Sequence, residues 1–140
     1  MIVHSKVKDH IPVVLVKKIL TQAAAHFKQP LIGEISIIFV GDQAMRRLNR
    51  QYRGKDKTTN VLSFTSNYKL LTTNYKLVDL GDIFICYPEA KREAKKYHFT
   101  LRQELDRLLV HGFLHLMGYD HQTDREAKKM EKLEDTLCLV

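Results

Sequence analysis

The chain has 140 residues, enough for one domain whose core needs no disulfide or metal staple. Apolar residues make up 44% and charged residues 28%, which excludes a disordered polyelectrolyte, and no apolar run approaches the ~18 residues that span a bilayer. The formal charge of +7 is unevenly placed: residues 1–100 carry 17 Lys and Arg against 8 Asp and Glu, whereas residues 101–140 carry 6 against 8. The densest basic stretch is Arg46, Arg47, Arg50, Arg53, Lys55 and Lys57, opposed only by Asp56. That asymmetry fits a polyanionic partner and equally a solvated helix face. The N-terminal MIVHSKVKDHIP lacks the apolar core of a signal peptide, so a cytoplasmic protein is expected, with no membrane contact. Cys86 and Cys138 are isolated, as buried small hydrophobes in a reducing compartment would be.

In chain order, Ile11, Leu15, Ile19, Ala23 and Phe27 recur at four-residue spacing and predict an amphipathic helix that Gln29-Pro30 stops. Residues 34–40, EISIIFV, are β-branched and aromatic and predict a strand. Gly41-Asp42 supplies a turn and cap for a helix with Met45, Leu48 and Tyr52 on one face and Arg46, Arg47 and Arg50 outward. Residues 59–64 and 80–86 predict two more strands, with a hairpin or loose loop between them. Tyr87-Pro88-Glu89 opens another helix, since proline suits a first helical position. Helices over 101–117 and 123–137 follow. Strands first and helices last predict an α+β fold, with a small mixed sheet flanked by helices in a single domain over residues 1–140.

Residues 108–117 contain no Asp, Glu, Lys or Arg, yet hold His111 and His115. Four residues apart on a helix is one turn, so both imidazoles project from one face. Gly118 is placed to end that helix in a left-handed turn, and His121 follows three residues later, where a returning chain draws level with the pair. The pattern H-x3-H-x2-G-x2-H thus offers two helix-borne ligands and a third after a turn. Three neutral imidazoles leave one position open on a tetrahedral zinc, as catalysis requires, and would also suit nickel or another transition ion. Core histidines satisfied by hydrogen bonds are the alternative, which three at this spacing with a turn glycine in register disfavour. His26 and His98 lack such company and read as structural or surface residues.

This spacing matches the zincin peptidase helix H-E-x-x-H-x-x-G-x-x-H except at its second position. There the peptidases carry a glutamate base, and this chain has Gly112. A metal alone still lowers the pKa of water to ~7 and polarises a substrate oxygen. Phosphodiesters lend themselves to such a site because their anionic oxygens bind metal directly. With the basic excess, this favours nucleic acid over peptide. Arg53, between a basic helix and a strand, could clamp a phosphate bidentately or lie on the surface. Asp120 or Asp124 could orient a ligand imidazole, although helix capping explains Asp124 equally well. Glu104, two turns before His111, is a weaker candidate base.

The segment HGFLHLMGYDH, residues 111–121, resembles the signature of the YbeY family, H-G-x-L-H-L-x-G-Y-D-H. Tyr52-Arg53 followed by DKTTNVLSF resembles that family's Y-R…D-x-P-T-D/N-V-L-S-F block, and Leu80-Gly81-Asp82-Ile83 its L-G-D-I. These motifs cover about a third of the chain, in the family's order. Thr58 and Thr65 depart from it, standing where the family usually has proline. The resemblance implies a cytoplasmic, zinc-dependent, single-strand endoribonuclease acting in ribosomal RNA maturation and ribosome quality control. It implies one Zn2+ per chain on His111, His115 and His121, and an important arginine at Arg53. Single-stranded RNA, ribosomal RNA and the ribosome are the expected partners, with no nucleotide cofactor; Arg46, Arg47, Arg50 and Arg53 are the expected RNA-binding surface. The rivals are a minimal metallopeptidase, which a glutamate near the metal would revive, and a non-catalytic RNA- or ribosome-binding module with a structural metal, which a fourth protein ligand would support.

Overall fold

The computed structural model describes residues 1–27, 33–66 and 78–138. Their elements run β1 (Ile2–Ser5), α1 (Val13–Ala25), β2 (Gly33–Val40), α2 (Asp42–Arg53), β3 (Val61–Thr65), β4 (Val78–Cys86), α3 (Tyr87–Lys96), α4 (Leu101–Leu116) and α5 (Asp124–Leu137). The four strands form one sheet in the order β1-β2-β4-β3. β1, β2 and β4 are mutually parallel, and β3 returns antiparallel to β4. The architecture is thus α+β with a small mixed sheet, as expected. The expected helix stop at Gln29-Pro30 and most of the segment joining β3 to β4 lie outside the described residues.

β2 is covered on both faces, which is why its sequence runs apolar without alternation. Ile35, Ile37 and Phe39 join the larger core with Val16, Ile19 and Leu20 of α1 and Leu105, Leu109 and Phe113 of α4. Ile38 and Val40 join Met45 of α2, Leu62 and Cys86 on the opposite face. Helix α4 crosses the middle of the first face, packing on α1, α3, β3 and β4. A capping box starts it: the Thr100 side chain accepts from the Gln103 N–H, and the Gln103 side chain accepts from the Thr100 N–H.

Several expectations need correction. β1 was not anticipated: it is short and largely exposed, held at the sheet edge by backbone pairing with β2 rather than by burial. β3 begins at Val61 instead of residue 59, because Asn60 turns its side chain to Glu93 of α3 and to the Val61 N–H. Tyr52, expected on the buried face of α2, is 56% exposed, because the sheet ends at β3 and leaves its ring beyond the edge. Glu104, a candidate base in the sequence, and Asp106 are 0% and 1% exposed.

Two glycines bring the layers close. Gly81 sits at φ +131° on β4, where a Cβ would lie 2.1 Å from the Phe64 carbonyl oxygen; β4 carries one residue too many for β2 at this point. Gly112 lets α4 lie flat on the sheet. A Cβ there would stand 2.8 Å from Ile83 Cγ2 and 3.1 Å from Ser63 Oγ. The Ser63 hydroxyl donates to the Gly112 carbonyl at 3.3 Å, tying the edge strand to the helix that carries the histidines.

Candidate metal centre

His111 and His115 stand half-buried one turn apart on α4, and the helix ends directly after them. Gly118 takes φ +95°, its N–H bonds the His115 carbonyl, and the Tyr119 N–H bonds the Leu114 carbonyl. This left-handed exit, which the glycine makes cheap, folds the chain back so that His121 meets the other two. One ligand-capable atom from each of the three lies within 4.8 Å of the others, and the ring centroids are 4.6–5.7 Å apart. The Nε2 atoms of His111 and His115 face each other at 3.1 Å. Two such lone-pair positions pointing at one spot suit a shared cation better than a mutual hydrogen bond.

Two of the three outer ring nitrogens lie against carboxylates. His111 Nδ1 donates to Glu134 Oε1 of α5 at 2.5 Å. Asp120 Oδ1 accepts the His121 backbone N–H at 2.7 Å and lies 3.3 Å from the His121 Nδ1. A carboxylate on Nδ1 fixes the tautomer and leaves Nε2 free for a metal. Burial, and then the neighbouring imidazoles of His111 and His121, push the His115 pKa down, so this side chain is neutral near pH 7 with its lone pair available. The donor set therefore fits a borderline transition ion. Among the described residues no fourth His, Cys, Asp or Glu joins the group, which is the catalytic rather than the closed structural pattern.

Glu134 was missed in the sequence. It lies 23 residues beyond His111, on a helix rich in Glu and Lys, and no local spacing marks it out. Of the two carboxylates proposed to orient a ligand, Asp120 does contact His121. Asp124 instead opens α5, whose cap is Thr123 accepting from the Glu126 N–H. Glu134→Ala should weaken metal binding ~10- to ~100-fold, the usual range for an outer partner of a ligand histidine. A chelator competition titration measures this, and unchanged affinity would remove Glu134 from the centre.

The three histidines open onto a cleft of about 630 Å³, whose opposite wall is β3 with Asn60 and Ser63. Arg53 enters the same cleft. It is the last residue of α2, before Gly54 ends that helix at φ +70°. Its Nη2 donates to the outward-facing Ser63 carbonyl at 3.3 Å, and its guanidinium lies 5.9 Å from the Phe64 ring centroid. The side chain thus reaches round the free edge of the sheet toward the histidines. Arg46, Arg47 and Arg50 do not line the cleft. Arg46 forms a two-pronged pair with Asp56 at 2.9 and 3.1 Å, and Arg50 lies 3.9 Å from the same carboxylate. Glu104 is not placed as a base. It is buried beside Arg107 at 2.6 Å, and burial, then the Glu93 carboxyl, raise its pKa. The one carboxylate lining the cleft among the described residues is Asp120.

Fold and site together define an α+β domain built around a three-histidine centre fit for a metal ion, with one arginine facing it. A model of the family described as Endoribonuclease YbeY matches residues 4–139. Endoribonuclease YbeY of Chelativorans sp. (strain BNC1) is 44% identical over 120 residues, covering 86% of this chain and 73% of its own length. That of Thermodesulfovibrio yellowstonii is 48% identical over 111 residues, 79% of this chain and 68% of its own. The solution structure of TM1509 from Thermotoga maritima shares the fold, with a TM-score of 0.62 at 24% identity over 98% of this chain and 85% of that one. The chain belongs to the YbeY endoribonuclease family.

Proposed function

We propose that residues 1–140 act as one metal-dependent endoribonuclease domain that cleaves single-stranded RNA in the maturation of ribosomal RNA. The relatives' shared name, Endoribonuclease YbeY, supports the reaction. The observation that carries the reading is the cleft itself, where three imidazoles and one guanidinium converge and the peptidase's glutamate position is a glycine pressed on the sheet. Three imidazoles, two of them with a carboxylate at the outer nitrogen, favour zinc. Among the described residues no helix is long and apolar enough to cross a membrane, and the proposed setting is the cytoplasm, with the ribosome as the partner that presents the RNA.

Each group has a task. Bound at His111, His115 and His121, the ion would supply Lewis acidity toward a phosphoryl oxygen and make water more acidic. Glu134 and Asp120 keep the imidazoles aimed. Arg53 holds the phosphate and stabilises the negative charge that develops as the bond breaks. Arg46, Arg47 and Arg50 extend the positive surface along α2 and guide the strand toward the cleft.

The test is cleavage of single-stranded RNA alongside casein. RNA should be cut and casein left intact, and RNA affinity should fall steeply with salt as phosphate contacts release counterions. Metal-dependent casein hydrolysis with RNA untouched would overturn the reading.

A further inference from the structure

Tyr52 is the most exposed Tyr or Phe ring among the described residues, at 56%, and of the exposed ones it is the ring adjacent in sequence to a cleft residue. The register of β3 explains its position. Leu62 and Phe64 face α2, whereas Ser63 faces α4, so the strand separates the two helices at the open edge of the sheet. Phe64 rests edge-on against Phe84, with centroids 5.6 Å apart. Tyr52 meets the same Phe64 ring at 5.0 Å and 64°, and the Arg53 guanidinium lies 5.9 Å from its centroid. One buried-edge phenyl ring thus props up both an exposed aromatic and the arginine that faces the histidines.

We propose that Tyr52 is a stacking platform for an unpaired base of the RNA, next to the phosphate held by Arg53. The inference rests on the endoribonuclease reading and adds to it a physical source for single-strand preference. Tyr52 and Arg53 share one supporting ring, so the base site and the phosphate site lie within the span of a nucleotide. The T-shaped contact uses one part of the tyrosine and leaves the rest of its ring open. A base in a duplex has both faces covered by its neighbours and cannot use such a ring, whereas a base in a single strand can. Stacking tolerates every base, because each has a π-face, so this platform selects strandedness and not sequence. The strand then leaves the cleft over the edge of β3, toward the arginines of α2.

The chain contains no tryptophan, so Tyr52→Trp creates a sole tryptophan at the site, which is excited selectively over the tyrosines. It is made together with His115→Ala, so that the RNA stays intact, and binding of end-labelled oligouridine is followed in parallel by anisotropy. The expected result is quenching of the tryptophan by the single strand and none by an RNA duplex at matched occupancy. In the same background Tyr52→Ala should weaken oligouridine binding ~10-fold, within the range for one lost base stack, while Tyr52→Phe binds as wild type. In the active protein Tyr52→Ala should raise KM while kcat stays within about twofold, since a stacked base binds equally in ground and transition states. Equal binding by the alanine variant, or equal quenching by duplex, overturns the platform and leaves the nuclease reading standing. Failure of every variant to bind RNA at low salt overturns both.

Discussion

His115→Ala should yield a folded protein that has lost its metal and its RNA cleavage. Three imidazoles are the whole of the donor set among the described residues, and His115 is the member whose ring lies nearest both others, at 4.6 and 5.1 Å. Two ligands bind far more weakly than three, so the loss should exceed the ~100-fold that removing an outer partner can cause. The helix should survive. Alanine is the best helix former, and the adjacent Phe113 and Leu114 that anchor α4 in the core are untouched. The clearest readout is thermal melting with and without chelator. A metal bound only by the folded state stabilises it by about 2.7 kcal/mol at a hundred times its Kd, so wild type should lose this increment on chelation and the variant should have none to lose. Full metal occupancy of the variant by elemental analysis would show that the centre lies elsewhere.

Arg53→Ala should do the reverse, keeping metal and fold while losing ~100-fold in activity, the scale for deleting one well-placed charge-stabilising donor. Arg53 comes from the end of α2, about sixty residues before the histidines, and its contacts are to the Ser63 carbonyl and the Phe64 ring, not to the imidazoles or the carboxylates that hold them. Among the described residues its hydrogen bond is a long contact to the Ser63 carbonyl, so stability should change by no more than about 0.5 kcal/mol. Arg53→Lys should recover only part of the rate, because one ammonium cannot reproduce two parallel hydrogen bonds to a phosphate. The assay pairs cleavage with metal content and melting. Wild-type cleavage by the alanine variant would return Arg53 to the surface, and loss of metal would make its role structural.

The three-histidine cluster was readable from the sequence because its geometry is local. One helical turn sets His111 against His115, and a glycine with positive φ returns His121 to them. Nothing comparable announces Glu134, whose contact with His111 depends on how α5 packs across α4. Periodicity placed Tyr52 on the inner face of α2 but carries no information about where a sheet ends. The burial of Glu104 was equally out of reach, because it depends on Arg107 and the neighbouring α3 covering it. β1 escaped because an edge strand of four residues is held by main-chain pairing, which leaves little trace in side chains. The long central strands and helices, each with its own period or apolar run, came through with boundaries shifted by one or two residues.

The glycine at 112 marks a fork between two kinds of hydrolase. A glutamate written there to imitate the peptidase helix would drive its first side-chain carbon into Ile83 and Ser63, so those side chains or α4 itself must shift before any new base could work. Either shift disturbs the Ser63 hydroxyl that links the cleft wall to α4 beside His111. The two catalytic strategies are therefore not neighbours a single substitution apart, although their signatures differ at one letter. Converting this scaffold to cut peptides means redesigning the helix–sheet spacing first, with smaller residues at 63 and 83, and only then changing residue 112.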